Sequence, residues 1–251
     1  MMPFRDRIEA GQRLGRALAD CKTFKPVVLA LPRGGVPVAI EVARTLEAPL
    51  DLVLVRKLSV PMQPELAMGA VAEGPQPVIV RNGDIIRQAG IAKAEFEATC
   101  EQQLAEIERR RKRYLGARQR PRLADQVVIV IDDGIATGAT MLAALRAVRR
   151  QSPHYLILAV PVASPDALEL LRREADEIVC LEQPKNLNNV ASFYLDFHQI
   201  SDDEVVEELA KYKYPAQSEV KSPDQASAEI FRQASQLIKP VENGELGSVG
   251  S

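Results

Sequence analysis

The chain has 251 residues, 46% hydrophobic and 26% charged, with a formal net charge of -2. That is the makeup of an ordinary globular protein, long enough to bury its own core. So small a charge gives no general attraction to nucleic acid or to an anionic membrane, and no stretch approaches the roughly 20 apolar residues that span a bilayer.

Cys21, Cys100 and Cys180 are far apart, form no CxxC pair, and have only His154 and His198 as imidazole companions. This argues against a disulfide framework or a zinc site. The opening residues 1–6 carry no apolar leader core, so a cytoplasmic chain is expected.

Phe4, Ile8, Leu14 and Leu18 fall near helical spacing, and Asp6 with Glu9 resembles a capping box. A first helix on the edge of the domain is predicted. Residues 27–31 are a continuous apolar run, the pattern of a strand buried on both faces. Pro32-Arg33-Gly34-Gly35 ends it, and residues 37–47 are helical in period. Residues 52–55 read as a second buried strand, followed by Arg56-Lys57 and a loop punctuated by Pro61 and Pro64. Residues 67–72 and 78–80 read as short strands around a Gly74-Pro75 turn.

Residues 92–116 form a long charged helix with a narrow apolar stripe of Phe96, Cys100, Leu104 and Ile107. A third buried strand at 127–131 precedes a helix at 140–151. Strands at 155–160 and 177–181 flank a helix at 165–174. Ser201 and Glu204 form a capping box for a last helix to about residue 212. Beyond residue 215 the composition turns to Ser, Gln, Glu, Lys and Pro, which reads as a disordered tail over 215–251, with a loose helix at 226–238. Alternating strands and helices with continuous apolar strands predict an α/β fold. It is doubly wound, with a mainly parallel sheet and helices on both faces. Ligands of such folds sit beyond the carboxyl ends of the strands, here the loops after Leu31, Val55 and Ile131.

The third of these loops reads Asp132-Asp133-Gly134-Ile135-Ala136-Thr137-Gly138-Ala139-Thr140. Two carboxylates at the end of a buried strand are costly without partners. Ionised, they only accept hydrogen bonds, so a vicinal diol with two hydroxyl donors suits them. Small residues and two threonines before a helix make a phosphate cradle from backbone amides, helix dipole and hydroxyls. A diol pair beside a phosphate cradle describes a ribose 5-phosphate. Neither a Walker A loop nor a GxGxxG fingerprint is present.

The same segment resembles the signature of type I phosphoribosyltransferases: four apolar residues, two acids, then Thr-Gly-x-Thr, with Ala139 where a second glycine is usual. The resemblance implies that the chain binds 5-phosphoribosyl 1-pyrophosphate (PRPP). Asp132 and Asp133 would take the ribose hydroxyls, and Ala136, Thr137, Gly138, Ala139 and Thr140 the 5-phosphate. Arg33, Gly34 and Gly35 are similar to the family's pyrophosphate loop, where glycines admit an anion and arginine offers a fork of donors. Arg56 and Lys57 resemble its Arg-Lys motif, on a loop that folds over PRPP and excludes water; Lys57 is the first candidate for a pyrophosphate contact.

Further segments, Leu31 to Ala39, Val55 to Leu58, Pro64 to Gly74 and Tyr194-Leu195-Asp196-Phe197, resemble a bacterial group of phosphoribosyltransferases with no assigned acceptor, over about residues 4–209. The resemblance implies a domain over 1–214, with the charged helix at about 92–116 inserted and a small hood at about 182–201. There Phe193, Tyr194 and Phe197 could stack on a base, or form local core, and Asp196 and His198 could add polar contacts. Hypoxanthine–guanine members carry an aspartate where Ala136 stands, which argues against a 6-oxopurine acceptor.

The expected reaction passes the phosphoribosyl group to a nitrogenous acceptor and releases pyrophosphate. Arg33, Lys57, Asp132 and Asp133 are its catalytic candidates. Mg²⁺ is expected to be carried mainly by PRPP, with no protein metal site. A homo-oligomer such as a dimer is also expected. The alternative reading is a non-catalytic PRPP-sensing regulator; a generic nucleotide-binding module is a third. The basic run Arg109 to Arg113, with Arg118, Arg120 and Arg122, could hold RNA or an acidic partner. Yet Glu95, Glu97, Glu101, Glu106 and Glu108 precede the run's end on the same helix, and basic residues there complement its dipole.

Overall fold

The computed structural model describes residues 3–74, 76–187 and 189–212; the tail expected at 215–251 lies outside them. In chain order come α1 (Arg7–Ala17), β1 (Val27–Ala30), α2 (Gly35–Leu46), β2 (Leu50–Leu52), β3 (Val55–Val60), β4 (Gln63–Ala72), β5 (Val78–Arg81) and α3 (Gly83–Gln88). There follow α4 (Lys93–Leu115), β6 (Val127–Ile131), α5 (Ala139–Arg149), β7 (Tyr155–Val162), α6 (Pro165–Leu171), β8 (Glu177–Glu182) and α7 (Asp202–Lys211). Among the described residues no helix is long and apolar enough to cross a membrane.

The central sheet is parallel throughout, in the order β2-β1-β6-β7-β8. Its side chains alternate between two cores, as the pleat requires. Val28, Ala30, Ile129, Ile131, Ile157 and Ala159 pack toward α1, α2, α4 and α7. Val27, Leu29, Val128, Val130, Leu156 and Leu158 pack toward α5 and α6. Burying each of these aliphatic side chains is worth about 1.5–3 kcal/mol for the larger ones, which is why the strands carry no polar alternation. The expected doubly wound architecture is present. The chain runs outward from β1 to β2, returns to β6 beside β1, and then winds the other way to β7 and β8.

Several expectations need correction. The strand predicted at 52–55 is two strands: β2 ends at Leu52, and Val55 opens β3 in a separate antiparallel sheet, β3-β4-β5. Val53 and Leu54 are buried in passing between the sheets, so their apolarity hides the change of partner. The loop expected after Arg56-Lys57 is a β-hairpin, with β3 and β4 paired from Val55↔Ala72 to Val60↔Gln63. Its turn is Pro61-Met62, where Met62 has φ +64° and is almost fully exposed. The short strand expected at 67–72 is the far half of β4, and α3 was not anticipated. In α1, Ile8 points to solvent rather than joining the apolar stripe.

Where the chain passes between the two sheets, a buried carboxylate fastens it. Glu73 Oε1 accepts from the Leu54 amide (2.9 Å) and from Arg111 Nη1 (2.9 Å), and Oε2 accepts from Arg120 Nη2 (2.8 Å). Arg111 also grips Asp51 on β2 through Nη2 at 2.8 Å. Burial pushes the Glu73 carboxyl up, opposed by Arg111 and then Arg120. Removing one member of such a group strands the others in a poorly solvated place. Glu73→Ala is expected to lower stability by about 3 kcal/mol, near the low end for a broken buried pair because Arg111 keeps Asp51. Urea denaturation measures this; a loss below about 1 kcal/mol, the level of an exposed pair, would show that the junction does not depend on Glu73.

Candidate functional site

The reversal of winding between β1 and β6 sets two loops side by side at the carboxyl edge of the sheet. The Leu31 amide donates to the Ile131 carbonyl at 2.9 Å, so the ladder continues to the last residue before each loop. The turn after β1 then runs directly over the acidic pair. A Cβ on Gly34 would lie 2.0 Å from Asp133 Oδ2, and one on Gly35 would lie 2.8 Å from the Ile131 carbonyl oxygen. Neither position has room for a side chain, which gives these two glycines a steric reason independent of any ligand. The Pro32–Arg33 peptide is cis.

The acidic loop is held from three directions. Within it, the Asp133 amide donates to Asp132 Oδ1 at 2.9 Å. From β7 and α6, Val162 O accepts the Ile135 amide (2.9 Å), Ile135 O accepts the Ser164 amide (2.9 Å), and Ser164 Oγ donates to Ala136 O (2.7 Å). The same hydroxyl caps α6 by accepting from the Ala167 amide at 3.1 Å. Gly138, at φ +81°, turns the chain into α5, and Thr137, Ala139 and Thr140 stay exposed at that helix start. Exposed amides and hydroxyls at a helix N-terminus favour an anion there.

The third hold comes from the hood. The N-terminal segment pairs with it: the Phe4 amide donates to Phe193 O, and the Leu195 amide to Phe4 O, each at 2.8 Å. Phe4 and Tyr194 stack at 5.4 Å between ring centroids. This seats Tyr194 in the core, and its hydroxyl donates to the Asp133 carbonyl at 2.6 Å. Burial, followed by the nearby Asp133 charge, raises the Tyr194 phenol above its ordinary value. At the start of α1, Arg7 Nε donates to Asp133 Oδ2 at 2.7 Å.

The two acids therefore differ. Asp133 has a guanidinium partner, whereas burial and then the Asp133 charge push the Asp132 carboxyl well above its ordinary value of 3.8. Such a split within a pair is common at functional carboxylates.

The basic candidates do not converge. Arg33 Nη1 lies 3.6 Å from Asp202 Oδ1 at the start of α7, beside the Tyr114 hydroxyl, which donates to the same oxygen at 2.7 Å. Burial and that hydrogen bond push the Tyr114 phenol up to about 12. Arg56 and Lys57 are adjacent on β3 and so point to opposite faces. Arg56 donates from Nε to Gln103 Oε1 of α4 at 2.9 Å, and burial followed by the Arg110 charge lowers its pKa. Lys57 lies on the face of Val55, which packs on Ala143 and Ala147 of α5. Its Nζ donates to the Glu65 carbonyl across the hairpin at 2.9 Å. Of the pair, Lys57 is on the side of α5.

Among the described residues no group of three or more His, Cys, Asp or Glu could hold a metal ion. Two neighbouring carboxylates suit a Mg²⁺ ion that arrives with most of its oxygens supplied by a substrate.

Sequence reasoning missed Arg7, Ser164 and Asp202. Arg7 is 126 positions from Asp133, and nothing in a helix's first residue marks it as a partner. Asp202 was visible only as an acid in a capping box. The hood aromatics are committed differently from a stacking platform: Tyr194 is core, and Phe197 lies under the Arg7 guanidinium at 3.7 Å. His198 Nε2 is 3.0 Å from Glu204 Oε1, at the exposed capping box of α7.

The raised Asp132 carboxyl has a measurable consequence. An acid whose folded pKa lies above its unfolded value holds more protons folded than unfolded between the two values. Stability therefore falls as pH rises from about 3.8 through the folded pKa, and the loss persists at neutral pH. Asp132→Asn keeps the Oδ1 acceptor for the Asp133 amide and removes the charge. It is expected to melt at a higher temperature than the parent at pH 7, with the difference shrinking toward pH 3.8 in a calorimetric pH series. Equal melting across the series would refute the assignment.

The sequence profile of the phosphoribosyl transferase domain matches residues 7–198. MT0597 and Rv0571c, from two strains of Mycobacterium tuberculosis and each provisionally named a phosphoribosyl transferase, are 45% identical to the chain over 206 residues. That alignment takes in 82% of this chain and 46% of each of theirs, so the chain spans about half the length of these curated relatives. The crystal structure of TT1426 from Thermus thermophilus superimposes with a TM-score of 0.71 at 43% identity, covering 84% of this chain and 99% of that one. The chain belongs to the phosphoribosyl transferase domain family.

Proposed function

We propose that the chain binds PRPP as its Mg²⁺ complex and transfers the 5-phosphoribosyl group to a nitrogenous acceptor, releasing pyrophosphate. The observation that carries this reading is the contact between the two loops. The glycine turn lies on the carboxylate of Asp133, so one small molecule could reach both loops at once. PRPP has a diol, a 5-phosphate and a pyrophosphate on one ribose ring. Asp132 and Asp133 would together accept from the 2- and 3-hydroxyls, and residues 136–140 would cradle the 5-phosphate.

The leaving group would lie over Gly34 and Gly35, which bring no side chain to the contact, with Arg33 and Lys57 as cations. As the bond from the anomeric carbon to pyrophosphate lengthens, that carbon gains positive charge and the pyrophosphate oxygen gains negative charge. The acceptor nitrogen supplies the electron pair that completes the new bond. Fixed donors aimed at the departing oxygen favour this change more than they favour the bound substrate. Bound Mg²⁺ would neutralise part of the pyrophosphate charge. No covalent nucleophile is needed. Because Arg33 is now directed at Asp202 and Lys57 at Glu65, both side chains would turn on binding. Ala136, in place of an acid, points away from a 6-oxopurine acceptor.

The test is incubation of the full chain with labelled PRPP, Mg²⁺ and a panel of nitrogenous bases, following pyrophosphate release, with PRPP binding measured in parallel by calorimetry. Release that depends on one base is expected. Lys57→Ala should lower kcat/KM by about 100-fold, the scale of one transition-state charge contact, with the fold unchanged. Asp132→Asn with Asp133→Asn should abolish PRPP binding. Tight binding without release on any base would favour a PRPP-sensing regulator, and no binding at all would end both readings.

A further inference from the structure

Asp133 belongs to the acidic loop, yet the side chain that holds its carboxylate comes from the other end of the chain. Arg7 is the first residue of α1, and it is buried although charged, its side chain 8% exposed against 14% for Asp133. A guanidinium in such a place needs its charge and its donors met. Nε goes to Asp133 Oδ2 at 2.7 Å, and Nη1 to the His198 carbonyl at 3.0 Å. The guanidinium carbon lies over the Phe197 ring, 3.7 Å from its centroid, close enough for a cation–π contact strengthened by desolvation.

The same carboxylate also lies against Gly34, whose Cβ position is 2.0 Å from Oδ2. The Asp133 carboxylate is thus held between an arginine and a glycine backbone, while Tyr194 holds its main chain from the hood at 2.6 Å. The Phe197 ring and the His198 carbonyl, which meet this arginine, lie on the segment that would cover an acceptor. A side chain that fixes a ligand-binding carboxylate and is itself fixed by packing is what an accurately placed site requires.

We infer that Arg7 is the positioning residue of the diol site, holding the Asp133 carboxylate against Gly34 and tying its orientation to the hood through Phe197 and the His198 carbonyl. The inference rests on the reading of Asp132 and Asp133 as diol ligands. Arg7 touches no substrate in this arrangement. Its engagement of Oδ2 leaves Oδ1 lone pairs for a hydroxyl, and its planar fork fixes which way they point. A lysine could supply the charge to Asp133 but not the second, in-plane contact to His198 O nor the stacked plane over Phe197.

The experiment compares three ligands by calorimetry on the full chain with Mg²⁺ present: ribose 5-phosphate, 2-deoxyribose 5-phosphate and inorganic pyrophosphate. The parent is expected to favour ribose 5-phosphate over the deoxy sugar by about tenfold, one well-made hydrogen bond. In Arg7→Gln that ratio should fall to within about twofold, while pyrophosphate affinity stays within about twofold of the parent, differences too small to represent a lost hydrogen bond. Arg7→Lys should give an intermediate ratio, as should Phe197→Leu, which keeps the ion pair and removes the stacked ring. These two carry the test if Arg7→Gln does not fold.

Unchanged pyrophosphate affinity separates lost positioning from a damaged fold. A parent-like sugar ratio in folded Arg7→Gln, or in both milder variants where Arg7→Gln is unfolded, would overturn the role of Arg7 and leave the diol reading standing. A parent chain with no preference between the two sugars would overturn the diol reading and this inference with it.

Discussion

The arrangement of this molecule depends on β1 lying next to β6. Ninety-six residues separate the end of one strand from the start of the other, and the chain uses them for β2, the antiparallel arm and the long helix α4 before returning to the same sheet edge. The returning strand then winds the opposite way, so the loops after β1 and β6 are left facing one another with no crossover between them. In a parallel sheet this is where backbone amides, helix starts and unfilled space coincide. The need for glycine at 34 and 35 follows directly. Two loops leaving adjacent strands can meet only if one of them lacks side chains at the contact, and the carboxylates of the other occupy the space.

The charge of α4 is spent on holding this arrangement together rather than displayed. Arg109 and Arg110 both pair with Glu106 one turn earlier, Arg111 with Asp51 and Glu73, and Arg113 with Asp202 and Asp203 at the start of α7. The two Glu106 pairs are local and exposed enough to add little. The contacts of Arg111 are buried and connect β2 to the end of β4. Arg113 and Tyr114 meet at Asp202, the residue that also faces Arg33. A run of basic residues that reads from sequence as a solvated face or an RNA contact thus fastens the arm at one point and reaches the glycine turn at another.

Most of the fold was legible because parallel strands buried on both faces must be apolar at every position, and residues 27–31 and 127–131 are. The acidic loop stood out for the same reason in reverse: two carboxylates directly after such a strand are costly without partners, and Arg7 supplies one to Asp133. Legibility failed where one sequence signal fits two structures. Val53 and Leu54 are as apolar as strand residues, because a link between two buried sheets must be. The hairpin of β3 and β4 hid behind Pro61 and Pro64, which read as loop punctuation, although Pro61 lies in the tight turn and Pro64 within β4. The partners of the acidic pair failed for a different reason. Arg7 and Tyr194 are brought to Asp133 by tertiary packing over more than 60 positions, and no local period records that.

The hood shows what that distance means for function. Phe193, Tyr194 and Phe197 are spaced as a stacking surface for a planar base would be, yet the ring of Tyr194 is buried against Phe4 and one face of Phe197 is covered by Arg7. A base could not stack on either of those surfaces without displacing a contact that also holds Asp133. The segment that would select an acceptor and the carboxylate that would hold the donor sugar are therefore parts of one packed unit. Changes to the hood made to alter acceptor choice should be felt at the ribose, because Tyr194 reaches the Asp133 carbonyl and Phe197 supports the arginine on its carboxylate.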